Sequence, residues 1–345
     1  MIELVTSPLG ELAAVPATDF AAANSPQGRA WMAALPSVLH DLAGQWQLTI
    51  ASGRIRHGYN SVVIPVDQGN RPLALKLTWP PGQLRDEAHA LSAWQGRGVA
   101  ELIAWDAPLG ALLLERLDAS RSLASIPVTE AAAAAGAVIR TLAIEASRSF
   151  PALSAAACEL AASIPARQHA LADPLPGPWV ALAARLAAGL ARDPARLMVH
   201  TDLHCDNILA GPGGRWVAID PSAALGAPER STAELLWTRA DELPDAHAIT
   251  ALLDTLVEHG RLDRSKAVGW SFVRTLDYWL WALENGLTVD PLRCERVAGA
   301  LAPLASCRIL PAEPVLSEGG GTTDAALSGH RRYRHARPAG PSSTS

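Results

Sequence analysis

Strand-forming sequence in this 345-residue chain is confined to one block and one island, and that uneven distribution is what most limits the fold. Between residues 46 and 117, short β-branched or apolar runs ("WQLTIASG", "SVVIPVDQ", "PLALKLTW", "AELIAW", "ALLLERL") alternate with Gly, Asn and Pro. They read as an antiparallel meander with "QGNRP" as a hairpin turn. A helical pattern from Gln83 to Gly96 interrupts them, and a proline-broken one covers 30 to 44. After Leu117 strands nearly vanish. Residues 128–147, 153–172 and 178–193 read as alanine-rich helices, and so do 231–240, 245–260 and 265–286. The expectation is an α+β, two-lobed fold, with a small antiparallel-sheet N-lobe over 30–117 and a mainly helical C-lobe over 118–310. The Ala/Pro/Ser-rich segment 1–29 is expected to be loosely held, and the apolar-poor tail 311–345 to be disordered. A two-lobed layout places a ligand site in the cleft between the lobes.

Composition excludes several classes. The four cysteines, Cys158, Cys205, Cys294 and Cys307, are scattered with no CxxC pair, which speaks against a disulfide framework or a structural zinc. A reducing, cytoplasmic setting is the expectation. The first 25 residues hold acidic groups and no basic one, the wrong charge for a signal peptide, and no apolar run reaches spanning length, so no membrane partner is expected. A net charge of −5 without a basic run before the tail argues against nucleic acid and favours a cationic small-molecule partner. Of the 29 basic side chains only Lys76 and Lys266 are lysines. Where this composition otherwise chooses arginine, a lysine points to specific chemistry.

The island is "VHTDLHCDNILAGPGGRWVAID", residues 199–220. "GPGG" reads as a turn joining the strands "NILA" and "RWVAID". If Ala210 pairs with Arg215, Asn207 faces Ala218 and Asp220 lies on the diagonal of the same face, roughly 7 to 8 Å away. One divalent metal could then take both. A one-residue slip would turn them to opposite faces. Asp202 lies on the loop entering the hairpin. Singly, Asp202 and Asn207 would suit loop caps; their combination with Asp220 is what suggests chemistry. Cys205 reads as a small filler and Asp206 as a solvated carboxylate. The alternating His200-Thr201-Asp202-Leu203-His204 also admits a binuclear metal hydrolase, but the remaining histidines occur singly and never beside a ligand at a strand end.

The spacing of His200-Thr201-Asp202 and Asn207, followed by Asp220-Pro221, resembles the catalytic loop and metal-binding acid of protein-kinase-like enzymes. The version with a second histidine is similar to the aminoglycoside phosphotransferase family. The stretches "PLALKLTWP", "RDEAHAL", "GALLLERL", "HTDLHCDNIL" and "WVAIDP" resemble in particular the streptomycin 6-kinases and aminoglycoside/hydroxyurea resistance kinases, over about 30–305. This resemblance implies a protein-kinase-like fold and transfer of the γ-phosphoryl group of ATP or GTP, with Mg²⁺, to a hydroxyl of an aminoglycoside-type acceptor. It implies Asp202 as the group that takes the acceptor proton. His200 stands with it in the catalytic constellation, orienting the loop. Asn207 and Asp220 would be metal ligands, and Lys76 paired with Glu87 would position the phosphates. Gly58, Asn60 and Ser61 in "GRIRHGYNS" would cover the phosphates, although no G-x-G-x-x-G is present. Backbone groups from Glu115 to Leu117 would meet the adenine.

A guanidino-bearing acceptor such as streptomycin calls for carboxylates and an aromatic face. Asp277, Trp281 and Glu284 fall at i, i+4 and i+7 of one helix and are the candidates, although a tryptophan-rich stripe more often packs a core. The resemblance also implies other acceptors: hydroxyurea or another small alcohol. One departure stands out. The family continues with aspartates where this chain has Ala227 and Ser231, acids that would brace the catalytic loop. Ser231 or Glu234 is expected to substitute; otherwise the chain would be a weakly active, pseudokinase-type nucleotide binder.

Overall fold

The computed structural model describes residues 20–80 and 84–307. The chain enters through a 3₁₀ turn, Ala21–Asn24, into helix α1, Pro26–Gln45, whose first turn is capped by Ser25 accepting from the Gly28 amide. The sheet follows: β1 Thr49–Ile50, β2 Arg56–His57, β3 Ser61–Gln68 and β4 Arg71–Thr78. Helix α2, Leu84–Trp94, then leads to β5 Leu102–Asp106 and β6 Ala111–Glu115. All pairings are antiparallel, in the order β1-β3-β4-β6-β5, with β2 beside β3.

Period-two burial decides which face each residue serves. Val62, Ile64 and Val66 of β3, Leu73, Leu75 and Leu77 of β4 and Ala111 and Leu113 of β6 pack with Leu35, Leu39 and Leu42 of α1. The alternate residues Leu112 and Leu114 face the other side, in one core with Leu84, Leu91 and Trp94 of α2. Lys76 lies between Leu75 and Leu77 and is therefore forced to this second side.

The expectation for 1–29 fails over residues 20–29. Phe20 is fully buried in the N-lobe core, with its ring centroid 6.2 Å from Trp31 and 5.8 Å from His57. This ring, with the buried Ala22 and the Ala21 N–H donating to the Tyr59 carbonyl, ties the segment to the lobe, a signal hidden in an otherwise Ala/Ser-rich stretch. Residues 1–19 and the tail from 308 onwards, including the expected disordered segment, lie outside the described residues.

Beyond β6 the chain forms β7, Asp118–Ser122, then helices α3 Val128–Leu142, α4 Leu153–Ala170 and α5 Gly177–Leu190. The island yields β8 Leu197–His200, β9 Ile208–Ala210 and β10 Trp216–Ala218, and β11, Ala223–Gly226, follows. A 3₁₀ turn, Pro228–Thr232, runs into the short helix α6, Ala233–Trp237, and then come α7 Ala246–Gly260, α8 Arg264–Glu284 and α9 Val289–Ser306. The stretch 231–240 is thus mostly 3₁₀ turn and short helix. Strands β10-β9-β7 and β11-β8 form two small sheets. The lobes join where Ala218 exchanges backbone hydrogen bonds with Gly98 and Ala100 at 2.8 and 2.9 Å. No described helix is long and apolar enough to cross a membrane.

The register of the β9–β10 hairpin differs from the expected one. Ala210 pairs with Trp216, and Ile208 with Ala218. The loop takes five residues because Gly213 and Gly214 both adopt left-handed φ, 71° and 78°, and Gly211 N–H closes onto the Arg215 carbonyl at 2.8 Å. Asn207 ends a 3₁₀ turn and Asp220 has φ of 53°, so neither lies on the ladder and the diagonal-pair argument does not govern them.

Replacing Phe20 by Ala is expected to destabilise the protein by about 3–5 kcal/mol, read as a shifted urea midpoint at unchanged slope. An unchanged midpoint would show that residues 20–29 contribute nothing to the core.

Candidate active site

Lys76 links the two lobes through its side chain. Its ammonium lies 2.8 and 2.9 Å from the two oxygens of Glu87 on α2, and 3.0 Å from Asp220 Oδ1 at the end of the hairpin. Only 3% of the lysine is exposed. Burial disfavours its charge, yet Asp220 and Glu87 together outweigh burial and hold its pKa above that of an ordinary lysine. Glu87 is pushed up by burial against the pull of Lys76. Asp220 can face the other lobe because its left-handed backbone turns the chain at the hairpin end. Its side chain is the half-exposed member of the trio, so the cluster opens to the cleft on that side.

The loop 200–207 is fixed mainly through its backbone. Asp202 N–H donates to His200 Nδ1 at 3.1 Å, and His200 Nε2 meets the Ile219 carbonyl at 3.1 Å. With one nitrogen accepting and the other facing a carbonyl, the ring is the neutral Nε2–H tautomer. His200 is fully buried, Trp94 lies at a centroid distance of 6.4 Å, and burial lowers its pKa. These contacts agree with the orienting part expected of His200, and they leave neither ring nitrogen for substrate or metal. They also remove the binuclear-metal arrangement, and no group of three or more His, Cys, Asp or Glu suited to a metal occurs among the described residues. Asn207 Nδ2 donates to the Asp202 carbonyl at 3.0 Å, which sets its amide orientation. Burial raises the Cys205 thiol to about 11, as befits a filler and not a nucleophile.

The acids expected at 227 and 231 are replaced as follows. Ala227 is buried. Ser231 Oγ donates to the His200 carbonyl at 2.7 Å, so this serine does brace the loop. Glu234 is buried between Arg230 and Arg274.

At the tip of the β2–β3 hairpin, Gly58 N–H donates to the Ser61 carbonyl at 2.9 Å and the Asn60 carbonyl accepts from Trp79 at 2.7 Å. Ser61 pairs with Thr78 and is 2% exposed, so its side chain lies within the lobe. Glu115 N–H donates to the Glu101 carbonyl at 2.9 Å, and its carboxylate pairs with Arg215. Leu117 leans on the β9–β10 turn at Gly211.

Asp277, Trp281 and Glu284 share one face of α8, but the chain supplies their cation itself. Arg167 of α4 contacts Asp277 Oδ1 at 2.5 Å and Glu284 at 2.7 and 3.0 Å, and Arg274 also pairs with Asp277. Trp281 stacks on Tyr278, which stacks on Trp237, at 5.4 and 4.9 Å. The expectation that these carboxylates await a guanidinium-bearing acceptor is therefore corrected. Sequence reasoning missed Arg167 because its partners lie more than a hundred residues away, and a helix pattern gives no sign of which distant face it meets.

Because His200 has a folded-state pKa below the ordinary 6.5, the unfolded chain binds more protons in that window. Its stabilising contribution is complete above about pH 6.5 and is lost as pH falls below that value. Unfolding midpoints should therefore drop more steeply between about pH 7 and 5 for the wild type than for His200→Asn; equal slopes would contradict the assignment.

Residues 45–286 match the family described as aminoglycoside/hydroxyurea antibiotic resistance kinase. The streptomycin 6-kinase of Streptomyces glaucescens is 35% identical over 295 residues, covering 83% of this chain and 95% of that protein. A hydroxyurea phosphotransferase of Kitasatospora aureofaciens is 34% identical over 281 residues, 79% of this chain and 81% of that one. Among solved structures, a thermostable mutant of the aminoglycoside phosphotransferase APH(4)-Ia, in ternary complex with ADP and hygromycin B, superposes with a TM-score of 0.54 at 15% identity. The match covers 80% of this chain and all of that one. The choline kinase LicA from Streptococcus pneumoniae gives 0.51 at 15% identity, covering 78% and 99%. At that identity the structural likeness shows the fold alone, the two-lobed kinase-like fold. The sequence matches go further, and the chain belongs to the aminoglycoside/hydroxyurea antibiotic resistance kinase family.

Proposed function

We propose that this protein transfers the γ-phosphoryl group of ATP to a hydroxyl of a cationic aminoglycoside-type acceptor, with the 6-hydroxyl of streptomycin as the foremost candidate. The observation that carries the reading is the buried Lys76 ammonium shared between Glu87 and Asp220 across the lobes. A lysine so placed is a rigid point charge for phosphate oxygens, and its two carboxylates keep it ionised. In this reading residues 30–117 hold the nucleotide and 118–310 hold the loop and acceptor. The Glu115 carbonyl and the Arg116–Leu117 backbone meet the adenine, and the hairpin tip at Gly58 and Asn60 covers the phosphates.

Asn207 and Asp220 fit a hard divalent cation. With Nδ2 of Asn207 donating to the Asp202 carbonyl, its amide oxygen is left as the acceptor, and Asp220 adds a carboxylate. Mg²⁺ held there would neutralise charge on the phosphate oxygens. Asp202 orients the acceptor hydroxyl and takes its proton as the acceptor oxygen bonds to the γ-phosphorus and the bond to the ADP oxygen breaks. The streptomycin 6-kinase and hydroxyurea phosphotransferase relatives support an acceptor of one of these two kinds. The net charge of −5 favours the cationic one.

Incubation with γ-labelled ATP and a panel of streptomycin, hygromycin B and hydroxyurea tests the acceptor. Label on streptomycin is expected; label on hydroxyurea alone would contradict the cationic choice, and nucleotide binding without any transfer would contradict the kinase reading. Asp202→Ala should lower turnover by about 10² to 10⁴ while nucleotide still binds. Lys76→Arg should also lose activity, since a planar guanidinium cannot replace the ammonium between Glu87 and Asp220; wild-type rates in this variant would remove Lys76 from the phosphate site.

A further inference from the structure

The peptide group joining Thr201 to Asp202 is gripped at both ends. Its N–H, that of Asp202, donates to His200 Nδ1 at 3.1 Å. Its carbonyl, that of Thr201, accepts from Arg230 Nη2 at 3.0 Å. The preceding carbonyl, of His200, is held by Ser231, so the turn Pro228–Thr232 pins two consecutive peptide planes immediately before Asp202.

Arg230 is 2% exposed and is itself oriented. Its Nη1 pairs with Glu234 Oε2 at 2.7 Å, and Glu234 Oε1 meets Arg274 Nη2 of α8 at 3.3 Å. Arg274 pairs with Asp277, Asp277 with Arg167, and Arg167 with Glu284. The charges alternate along this whole line, from the loop to α4 and the end of α8. Buried ion pairs of this kind are a poor source of stability, because desolvation offsets much of the Coulombic gain. What they supply is direction: a guanidinium fork locked by one carboxylate presents its remaining N–H groups along fixed lines.

We propose that Arg230 is a positioning residue for phosphoryl transfer, setting the Thr201–Asp202 peptide plane and through it the Asp202 carboxylate, with Glu234 and Arg274 anchoring its fork to α8. The inference rests on the reading of Asp202 given above. Displacing a reacting group by about 1 Å can cost on the order of 10² in rate, so a backbone clamp next to this residue acts on the chemical step and not on substrate binding.

The test compares Arg230→Gln, Arg230→Lys and Glu234→Gln in the full chain, by steady-state kinetics and amide hydrogen exchange. For Arg230→Gln, kcat is expected to fall about 10- to 100-fold with both KM values within about twofold. Exchange over residues 199–207 should accelerate while the β3–β4 strands stay protected. Arg230→Lys should recover part of the rate, because an ammonium can keep one of the two contacts. Should Arg230→Gln fail to fold, Glu234→Gln reads the same quantities, since it loosens the fork without removing it. A folded variant with unchanged exchange at 199–207, or a loss confined to KM, overturns the proposal. If the wild type transfers phosphate to no acceptor, the functional reading falls, and the exchange measurement still decides whether Arg230 clamps the loop.

Discussion

The contact between Lys76 and Asp220 is the interaction on which the rest of the site depends, because it draws a buried sheet residue of the first lobe to the hairpin end of the second. One ammonium faces two carboxylates, so the trio carries a net charge of −1. An unpaired ammonium buried to this extent would be strongly disfavoured, and removing either partner from such a cluster typically costs several kcal/mol. The arrangement therefore persists without ligand and leaves its surplus negative charge on Asp220, the exposed member. That is where a cation accompanying a nucleotide would enter.

Much of this was legible in the sequence. The alternation of Leu73, Leu75 and Leu77 with Lys76 between them fixes the lysine on the face opposite α1, since side chains in a strand alternate strictly. Glu87 follows from its place in the first turn of the next helix. Asp202, Asn207 and Asp220 stand out in the sequence by their spacing, but their geometry was not legible. Two left-handed glycines lengthened the hairpin loop by one residue, and the left-handed Asp220 lies outside the ladder from which its direction had been reasoned. Phe20 shows the converse failure, in which a buried ring helps anchor a segment whose composition suggests no order.

The charged residues of the C-lobe were the least legible. Asp277 and Glu284 are exposed-looking carboxylates in sequence, yet Arg167 from another helix neutralises them. Ser231, standing where an acid was expected, donates to a loop carbonyl, and Arg230 beside it donates to the next one. Pairings between residues a hundred positions apart depend on how helices pack, and no local pattern encodes them. The outcome is a loop whose backbone is held by His200, Asn207, Arg230 and Ser231.

The most direct test of the account is an anomalous difference map from crystals grown with Mn²⁺ and a non-hydrolysable ATP analogue. The account predicts a manganese peak within about 2.0–2.3 Å of the Asn207 amide oxygen and an Asp220 carboxylate oxygen, with Lys76 against the phosphates. Manganese and phosphates bound away from those two side chains would contradict it.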